Sequence, residues 1–422
     1  MHLDVYGDTL SALVCSTAMA SSGHHVSLYL PEDSEFYHSI KRGDLPFSEE
    51  GLGALFRSQT GTKRLTVLPM SRPSSPETEV VFLNFHPHQL GVAFTIAQRV
   101  AHQGAVEVVI NQSPFPVGST EDLQQKLGSI PVVCIPEFLQ EGSALQTFMK
   151  PERILLGSDD ATAERLVREV FRPFNRLSDH FLVMRPREAE FTKLTVSGML
   201  ATRVSFMNDM ANLAETLDVD IEQVRLGMGS DRRIGEAYLY PGCGFGGPGL
   251  SRGLLTLSEK LQASGVGSAL LEQVLNINER QKEVLFRKLW CHYRRDLSGK
   301  TVAIWGAAFK PGTGRIDNAP VLPLLEALWA QGAEVKVHDP LALPQLRQSY
   351  GSREDLVICE DPYEAVSGAD ALLLVTEWKT YWSPDFNRLK MEMRSPVILD
   401  GRNIYDPLYL RNYGFVYYGV GR

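Results

Sequence analysis

Leu3-Asp4-Val5-Tyr6-Gly7-Asp8-Thr9-Leu10-Ser11-Ala12 is the stretch on which the fold is read. A short apolar run leads into a glycine turn and then into residues suited to a helix, the unit that opens a doubly wound α/β domain. Beyond it, segments rich in Val, Ile and Leu alternate with amphipathic helix-length segments through roughly the first 180 residues, the pattern of a parallel sheet covered by helices. Further strands are expected at His25–Leu30, Glu79–Phe85, Val106–Asn111, Val132–Ile135, Arg153–Leu156 and Phe181–Met184.

From Arg187 to about Arg294 long helical patterns replace strands. Met199, Leu200, Met207, Met210, Ala211, Ala214 and Leu217 recur at helical intervals and predict one buried face of a long central helix. After Leu297-Ser298-Gly299-Lys300 the strand–loop–helix pattern restarts, with strands expected at Thr301–Trp305, Glu334–His338, Leu356–Ile358, Ala371–Thr376 and Val397–Asp400. The expected architecture is therefore α/β: a Rossmann-like domain over 1–186, a helical central and dimerisation domain over 187–296, and a second doubly wound α/β domain over 297–422.

The chain has 422 residues, 44% hydrophobic and 22% charged, with a formal charge of −8. That balance excludes a nucleic-acid partner held by counterion release, which needs clustered Lys and Arg. No apolar run is long enough for a membrane span, and no export signal opens the chain. Cys15, Cys134, Cys243, Cys291 and Cys359 are scattered and include no CxxC pair, as expected of reduced thiols in a cytoplasmic protein without structural zinc. His86-Pro87-His88 lacks a third neighbouring ligand and is read as loop, so no metal is expected.

Several segments occur in a telling order: Pro116-Val117-Gly118, Pro136-Glu137-Phe138-Leu139-Gln140-Glu141-Gly142, Ala189-Glu190 with Lys193, and Leu200-Ala201-Thr202. They are followed by Asn208, Pro241-Gly242-Cys243-Gly244-Phe245-Gly246-Gly247, Gly306 to Lys310, Val375-Thr376-Glu377-Trp378, Asp400-Gly401-Arg402-Asn403 and Tyr417 to Arg422. In this order they resemble the UDP-glucose/GDP-mannose dehydrogenase family from end to end. The resemblance implies oxidation of a sugar C6 alcohol to a carboxylate with two NAD molecules, a nucleotide-sugar partner, and assembly as a homodimer or larger oligomer, or with an active paralogue.

The cofactor turn departs from what a dinucleotide requires. Only Gly7 keeps its glycine; Thr9 stands where the pyrophosphate approaches, Asp8 adds negative charge, and Ala12 takes the third glycine position. The acid that normally accepts the ribose hydroxyls falls on Leu30, with Glu32 and Asp33 as displaced carboxylates. Ser113 is placed with the cofactor, while Pro114 replaces a family threonine. NAD binding is left open, the scaffold favouring it and both anchors being altered.

At the reacting centre the resemblance implies a cysteine that turns the intermediate aldehyde into a hydride-donating thiohemiacetal. Gly249 occupies the cysteine position, and Gly253 that of the aspartate four residues on. Arg252 stands at the lysine position and cannot act as a base. Lys193 matches the lysine that stabilises oxyanions, and Ser197 replaces its asparagine partner one helical turn later. Glu137 and Glu141 match two family carboxylates; their spacing suits one helix face and acid–base work, although a structural role as buried acceptors is favoured without the cysteine. On the nucleotide-sugar side Tyr238, Gly242, Phe245, Gly246, Lys310 and Arg402 are carried over, and Asp317 replaces an arginine near the diphosphate, with Arg315 two residues earlier.

These losses predict a catalytically impaired member that acts by nucleotide-sugar binding or as a regulatory partner subunit. The alternative is an NAD-dependent nucleotide-sugar 6-dehydrogenase of altered chemistry, performing a single oxidation.

Overall fold

The computed structural model describes residues 1–102, 105–175, 179–263 and 265–422, without the side chains at 252, 262 and 263. Two compact units form, Met1–Leu194 and Thr195–Arg422. In the first, β1 (His2–Tyr6), β2 (His25–Leu30), β3 (Leu65–Pro69), β4 (Val80–Leu83), β5 (Val108–Asn111), β6 (Val132–Cys134), β7 (Ile154–Gly157) and β8 (Phe181–Met184) make one sheet in the order β3-β2-β1-β4-β5-β6-β7-β8. Its pairings are parallel except β6 with β7, which meet antiparallel at Cys134 and Gly157. The order 3-2-1-4-5-6 is the Rossmann arrangement.

Alternation along each strand sends successive side chains to opposite layers. Leu3, Val5, Val80 and Phe82 pack under helices Leu10–Ser21, Leu52–Gly61 and Ala161–Phe171, whereas Tyr6, Val81 and Leu83 pack under Leu90–Ala101 and Ser119–Leu127. With both faces covered, the strands read as near-continuous apolar runs. The exception is β3, which the sequence reading missed. It is an edge strand alternating Leu65, Thr66, Val67 and ending in Pro69, tolerable where one side of the backbone is unpaired.

The second unit carries β9 (Thr301–Trp305), β10 (Glu334–His338), β11 (Leu356–Ile358), β12 (Ala371–Leu374), β13 (Val397–Asp400) and β14 (Val416–Tyr418) in the order β11-β10-β9-β12-β13-β14, with parallel pairing throughout. This repeats the 3-2-1-4-5-6 arrangement; β14, three residues long at the other edge, was also missed.

The long helix runs Pro186–Thr216 over 31 residues. Its buried positions include Ala201, Ser205, Met207, Asn208, Ala211 and Ala214, but Met199 and Leu217 are 63% exposed, against expectation. The polar residues Ser205 and Asn208 belong to the covered face because each has a partner: Ser205 Oγ donates to Val274 O, and Asn208 Oδ1 accepts from Gly242 N. Met207, Ala211 and Ala214 thus lie on the expected face, whereas Met199 and Leu217 near the ends of the apolar pattern do not. Among the described residues no helix is long and apolar enough to cross a membrane.

Candidate functional site

The turn after β1 keeps the backbone of a dinucleotide loop. Gly7 sits at φ +131°, and a Cβ there would lie 2.0 Å from Asn84 O, so only glycine lets the turn close on the end of β4. Thr9 caps the following helix: its Oγ1 accepts from Ala12 N at 3.1 Å and donates to Asn84 O at 3.0 Å. Ser11 Oγ donates to Asn84 Oδ1 at 2.7 Å, and Asn84 Nδ2 donates to Gln112 Oε1 at 3.2 Å. Asn84 thus fastens the turn to β4 and β5, and nothing in the glycine spacing signalled it.

Ser113 is buried with its hydroxyl turned inward. The Oγ donates to Leu83 O at 3.0 Å and accepts from Phe85 N at 2.9 Å, joining two strand ends. Leu30 is fully buried in the core where a ribose-binding acid would stand. Of the displaced carboxylates, Glu32 accepts from Ser71 Oγ at 2.6 Å.

The segment 137–140 forms no helix, and Glu141 lies in a turn. The expected shared helix face for Glu137 and Glu141 does not form. The backbone folds back on itself here, with Glu137 Oε2 accepting from Leu139 N at 2.8 Å. Lys193 Nζ donates to Glu137 O and stands 4.9 Å from the centre of the Phe138 ring, so the lysine is anchored to this loop by carbonyl and ring together.

Two further glutamates hold the neighbouring backbone. Glu49 accepts from Gly142 N at 2.6 Å and Ala144 N at 2.9 Å, capping helix Ala144–Met149. Glu190 accepts from Gly118 N at 2.6 Å, Thr120 N at 2.9 Å and Thr120 Oγ1 at 2.6 Å, capping helix Ser119–Leu127. Both act across long sequence separations, so local pattern could not reveal Glu49.

In the second unit, Gly247 leads into a π-helical turn, Pro248–Arg252, and helix Gly253–Ala263. A Cβ on Gly249 would meet nothing within 4 Å, and its φ is not in the left-handed region. Space and backbone therefore both admit a side chain where the cysteine is missing. A Cβ on Gly253 would lie 3.0 Å from Ser197 Cβ and 3.2 Å from its Oγ. The missing aspartate and the shortened asparagine are thus neighbours, reduced together. The Arg252 side chain lies outside the described residues.

The preceding glycine loop is packed by its own unit. Gly242 N donates to Asn208 Oδ1 at 2.8 Å and its carbonyl accepts from Gln281 Nε2 at 2.7 Å. Asn278 grips Phe245 through both backbone groups, at 2.8 and 3.0 Å. A Cβ on Gly246 would come within 2.5 Å of Asn318 O, so that glycine is required by backbone approach. Tyr238 enters the loop at φ +59°. Lys282, 1% exposed, donates to Glu279 Oε1 at 2.8 Å and to Asn318 Oδ1 at 2.7 Å, and Asn318 Nδ2 reaches Ser251 Oγ at 3.0 Å. This buried relay, which the sequence reading missed, holds the turn that carries Gly249.

Cys243 is buried with Sγ directed at Val375 O, 3.6 Å away, and burial raises its thiol above the ordinary range. It is not a nucleophile in this setting. Arg402 Nε donates to Val375 O at 2.7 Å and pairs with Glu377 Oε2 at 3.1 Å, bracing the same loop. Lys310 Nζ lies 5.9 Å from the centre of the Phe309 ring. The acid at Asp317 is met by a two-point fork from Arg315, at 2.8 and 3.0 Å, so the swapped charges neutralise each other in place.

Two Rossmann-ordered units, one opening on a dinucleotide-type turn and the other holding a glycine loop before a helix, define the class of a two-unit α/β dehydrogenase scaffold. The NAD binding, central and UDP binding domains of the UDP-glucose/GDP-mannose dehydrogenase family match residues 2–175, 187–280 and 303–407. The chain belongs to that family. It is 38% identical to a UDP-glucose 6-dehydrogenase of Pseudomonas aeruginosa, covering 100% of this chain and 98% of that one. It is 30% identical to one of Bacillus subtilis, covering 99% and 92%. A solved UDP-glucose dehydrogenase from Pyrobaculum islandicum superposes with a TM-score of 0.86 at 28% identity, covering 100% and 97%. The NAD binding domain match points to NAD use, and the turn at Gly7, closed on Asn84, has the backbone of a dinucleotide loop. The departures lie in the side chains of Asp8, Thr9 and Leu30.

Proposed function

We propose that this chain is an NAD-dependent oxidoreductase acting on a UDP-linked sugar, in the cytoplasm, and that it carries out one oxidation, from the C6 alcohol to the aldehyde. Full-length similarity to UDP-glucose 6-dehydrogenases supports the activity class and weighs against a purely regulatory role. The observation that carries the limit to one step is Gly249, an open position without a thiol, while Cys243 is buried and directed at Val375 O. An aldehyde has no C–O–H to deprotonate, so without a covalent adduct it does not readily give a second hydride.

NAD, when bound, supplies the hydride acceptor. The chain's part is to hold the sugar nucleotide through the 238–246 loop, Lys310 and Arg402, and to stabilise the developing oxyanion with Lys193. A water near Lys193, Glu137 or Glu141 receives the hydroxyl proton.

The test is the stoichiometry of NADH per UDP-glucose consumed. One NADH, with an aldehyde trapped by hydroxylamine, is expected; two NADH and a uronate would overturn the limit. Gly249→Cys combined with Gly253→Asp should move the count toward two. A second reading, nucleotide-sugar binding without turnover, is favoured by Leu30 and by the engagement of Ala12 N with Thr9. It predicts no NADH, with UDP-glucose still raising the melting temperature.

The protein is further proposed to work as a homodimer. Met199, Phe206 and Leu213, 63%, 48% and 48% exposed and seven residues apart, form an apolar row on helix Pro186–Thr216. Phe206→Glu should convert a dimer to a monomer in light scattering; an unchanged mass removes this face from the interface.

A further inference from the structure

Asp8 introduces a negative charge into the turn proposed above to receive NAD. Its Oδ1 is shielded from solvent and has no hydrogen-bond partner among the described residues. The titratable groups recorded beside it are His86, with Nε2 at 3.8 Å from Oδ1, and His88, whose ring stacks on His86 at 5.7 Å. Thr9, Ser11 and Asn84, packed on the same turn, are neutral.

His86 stands beside this carboxylate and is engaged by its own turn. It caps the turn Pro87–Gln89 in a reciprocal box: its side chain accepts from the Gln89 amide, and the Gln89 side chain accepts from the His86 amide at 2.8 Å. That contact holds the ring in place, with Nε2 the nitrogen facing Asp8.

We propose that Asp8 sets the dinucleotide affinity of the first unit: its carboxylate, shielded from solvent and without a hydrogen-bond partner at Oδ1 among the described residues, opposes the diphosphate. The inference rests on the reading that NAD occupies this turn. Like charges at about 6 Å in a partly shielded site cost a factor on the order of ten in affinity.

The experiment is calorimetric titration of the full chain with NAD at about pH 8, well above the ordinary carboxylate range. Asp8→Asn should bind roughly tenfold more tightly than wild type. Asp8→Ala is measured alongside, with melting temperatures for both, so that a folding defect in one variant does not decide the result. Equal affinity in wild type and the variants overturns the inference and leaves the cofactor reading standing. Absence of NAD binding in wild type and both variants overturns the two together.

Discussion

The two sheets open on the same device and settle it in opposite ways. Gly7 follows β1 and Gly306 follows β9, at φ +131° and +92°. Each donates its amide to the neighbouring strand, Gly7 to Tyr29 O at 3.2 Å and Gly306 to His338 O at 2.9 Å. A Cβ on either would strike the chain just beyond the fourth strand, Asn84 O at 2.0 Å or Thr376 Cβ at 2.4 Å. The residue after Tyr29 is Leu30, sunk in the core, whereas the residue after His338 is Asp339, whose Oδ2 accepts from Ala307 N at 2.7 Å and Ala308 N at 2.9 Å. Amides that could grip a phosphate in the second unit are already bound to a carboxylate of the chain itself. The first unit has no acid there and takes its cap from Thr9. One topology thus yields a sealed turn and an open one, decided by a single residue at the end of the second strand.

The sharpest way to break this contrast is to remove the seal. Asp339 also accepts from Leu341 N and Ala342 N, both at 2.8 Å, and from Trp378 Nε1 at 3.0 Å. Asp339→Leu leaves these donors without partners and should cost about 4 kcal/mol or more, lowering the unfolding transition by roughly 10 °C in calorimetry. A loss below about 1 kcal/mol would mean that the carboxylate is not what seals the turn. Next in size is Gly7→Ala, which forces a methyl against Asn84 O at positive φ. It should cost about 3 kcal/mol and weaken NAD binding, since the turn must separate from β4 to admit it.

Much of this architecture was legible because the chemistry is local. Strands covered on both faces announce themselves as apolar runs, and His25–Leu30, Phe181–Met184, Thr301–Trp305 and Glu334–His338 emerged with the expected bounds. The short edges β3 and β14 did not, since an edge strand need not be apolar on both sides. Gly249 and Gly253 were visible as absences in a family pattern; that Gly253 faces Ser197 was not, because contact between distant positions has no periodicity. For Glu137 the four-residue spacing allowed a shared helix face with Glu141, but the carboxylate takes the Leu139 amide, in keeping with the structural-acceptor role favoured from the sequence. Asp339 was read only as the end of a strand, and its five acceptor contacts depend on the turn folding over it.

A third test uses a buried acid in each sheet. Asp400, on β13, is fully covered and held by Arg402 N at 2.9 Å, Tyr405 N at 3.0 Å and the Tyr417 hydroxyl at 3.0 Å. Asp4, on β1, is 1% exposed and receives the Ser74 hydroxyl; burial pushes its carboxyl up to about 6. A folded value above the unfolded one means that the proton binds more tightly in the fold. The stability this contributes is complete below about pH 4 and is lost as the pH rises through about 6. Asp4→Asn should therefore stabilise the first unit above about pH 7, by on the order of 2 kcal/mol, and the gain should vanish toward about pH 4. Denaturation curves across that range check it; a gain independent of pH would point to packing instead.

The smallest effect separates the two turns most directly. In the second unit the donors are taken by a carboxylate from another strand, but in the first Ala12 N is taken by the Thr9 hydroxyl of the same turn, which costs little to remove. Thr9→Ala should lose about 1 kcal/mol of stability, and Thr9→Gly only a few tenths through the cap itself, because glycine is tolerated at that position. Either variant frees Ala12 N to meet a phosphate, and Thr9→Gly also clears the β-branched side chain from its path. NAD should then bind Thr9→Gly more tightly than wild type although the protein is slightly less stable. Weaker binding by Thr9→Gly would show that the hydroxyl serves the cofactor, and the first turn would no longer be the one closed only by its own side chain.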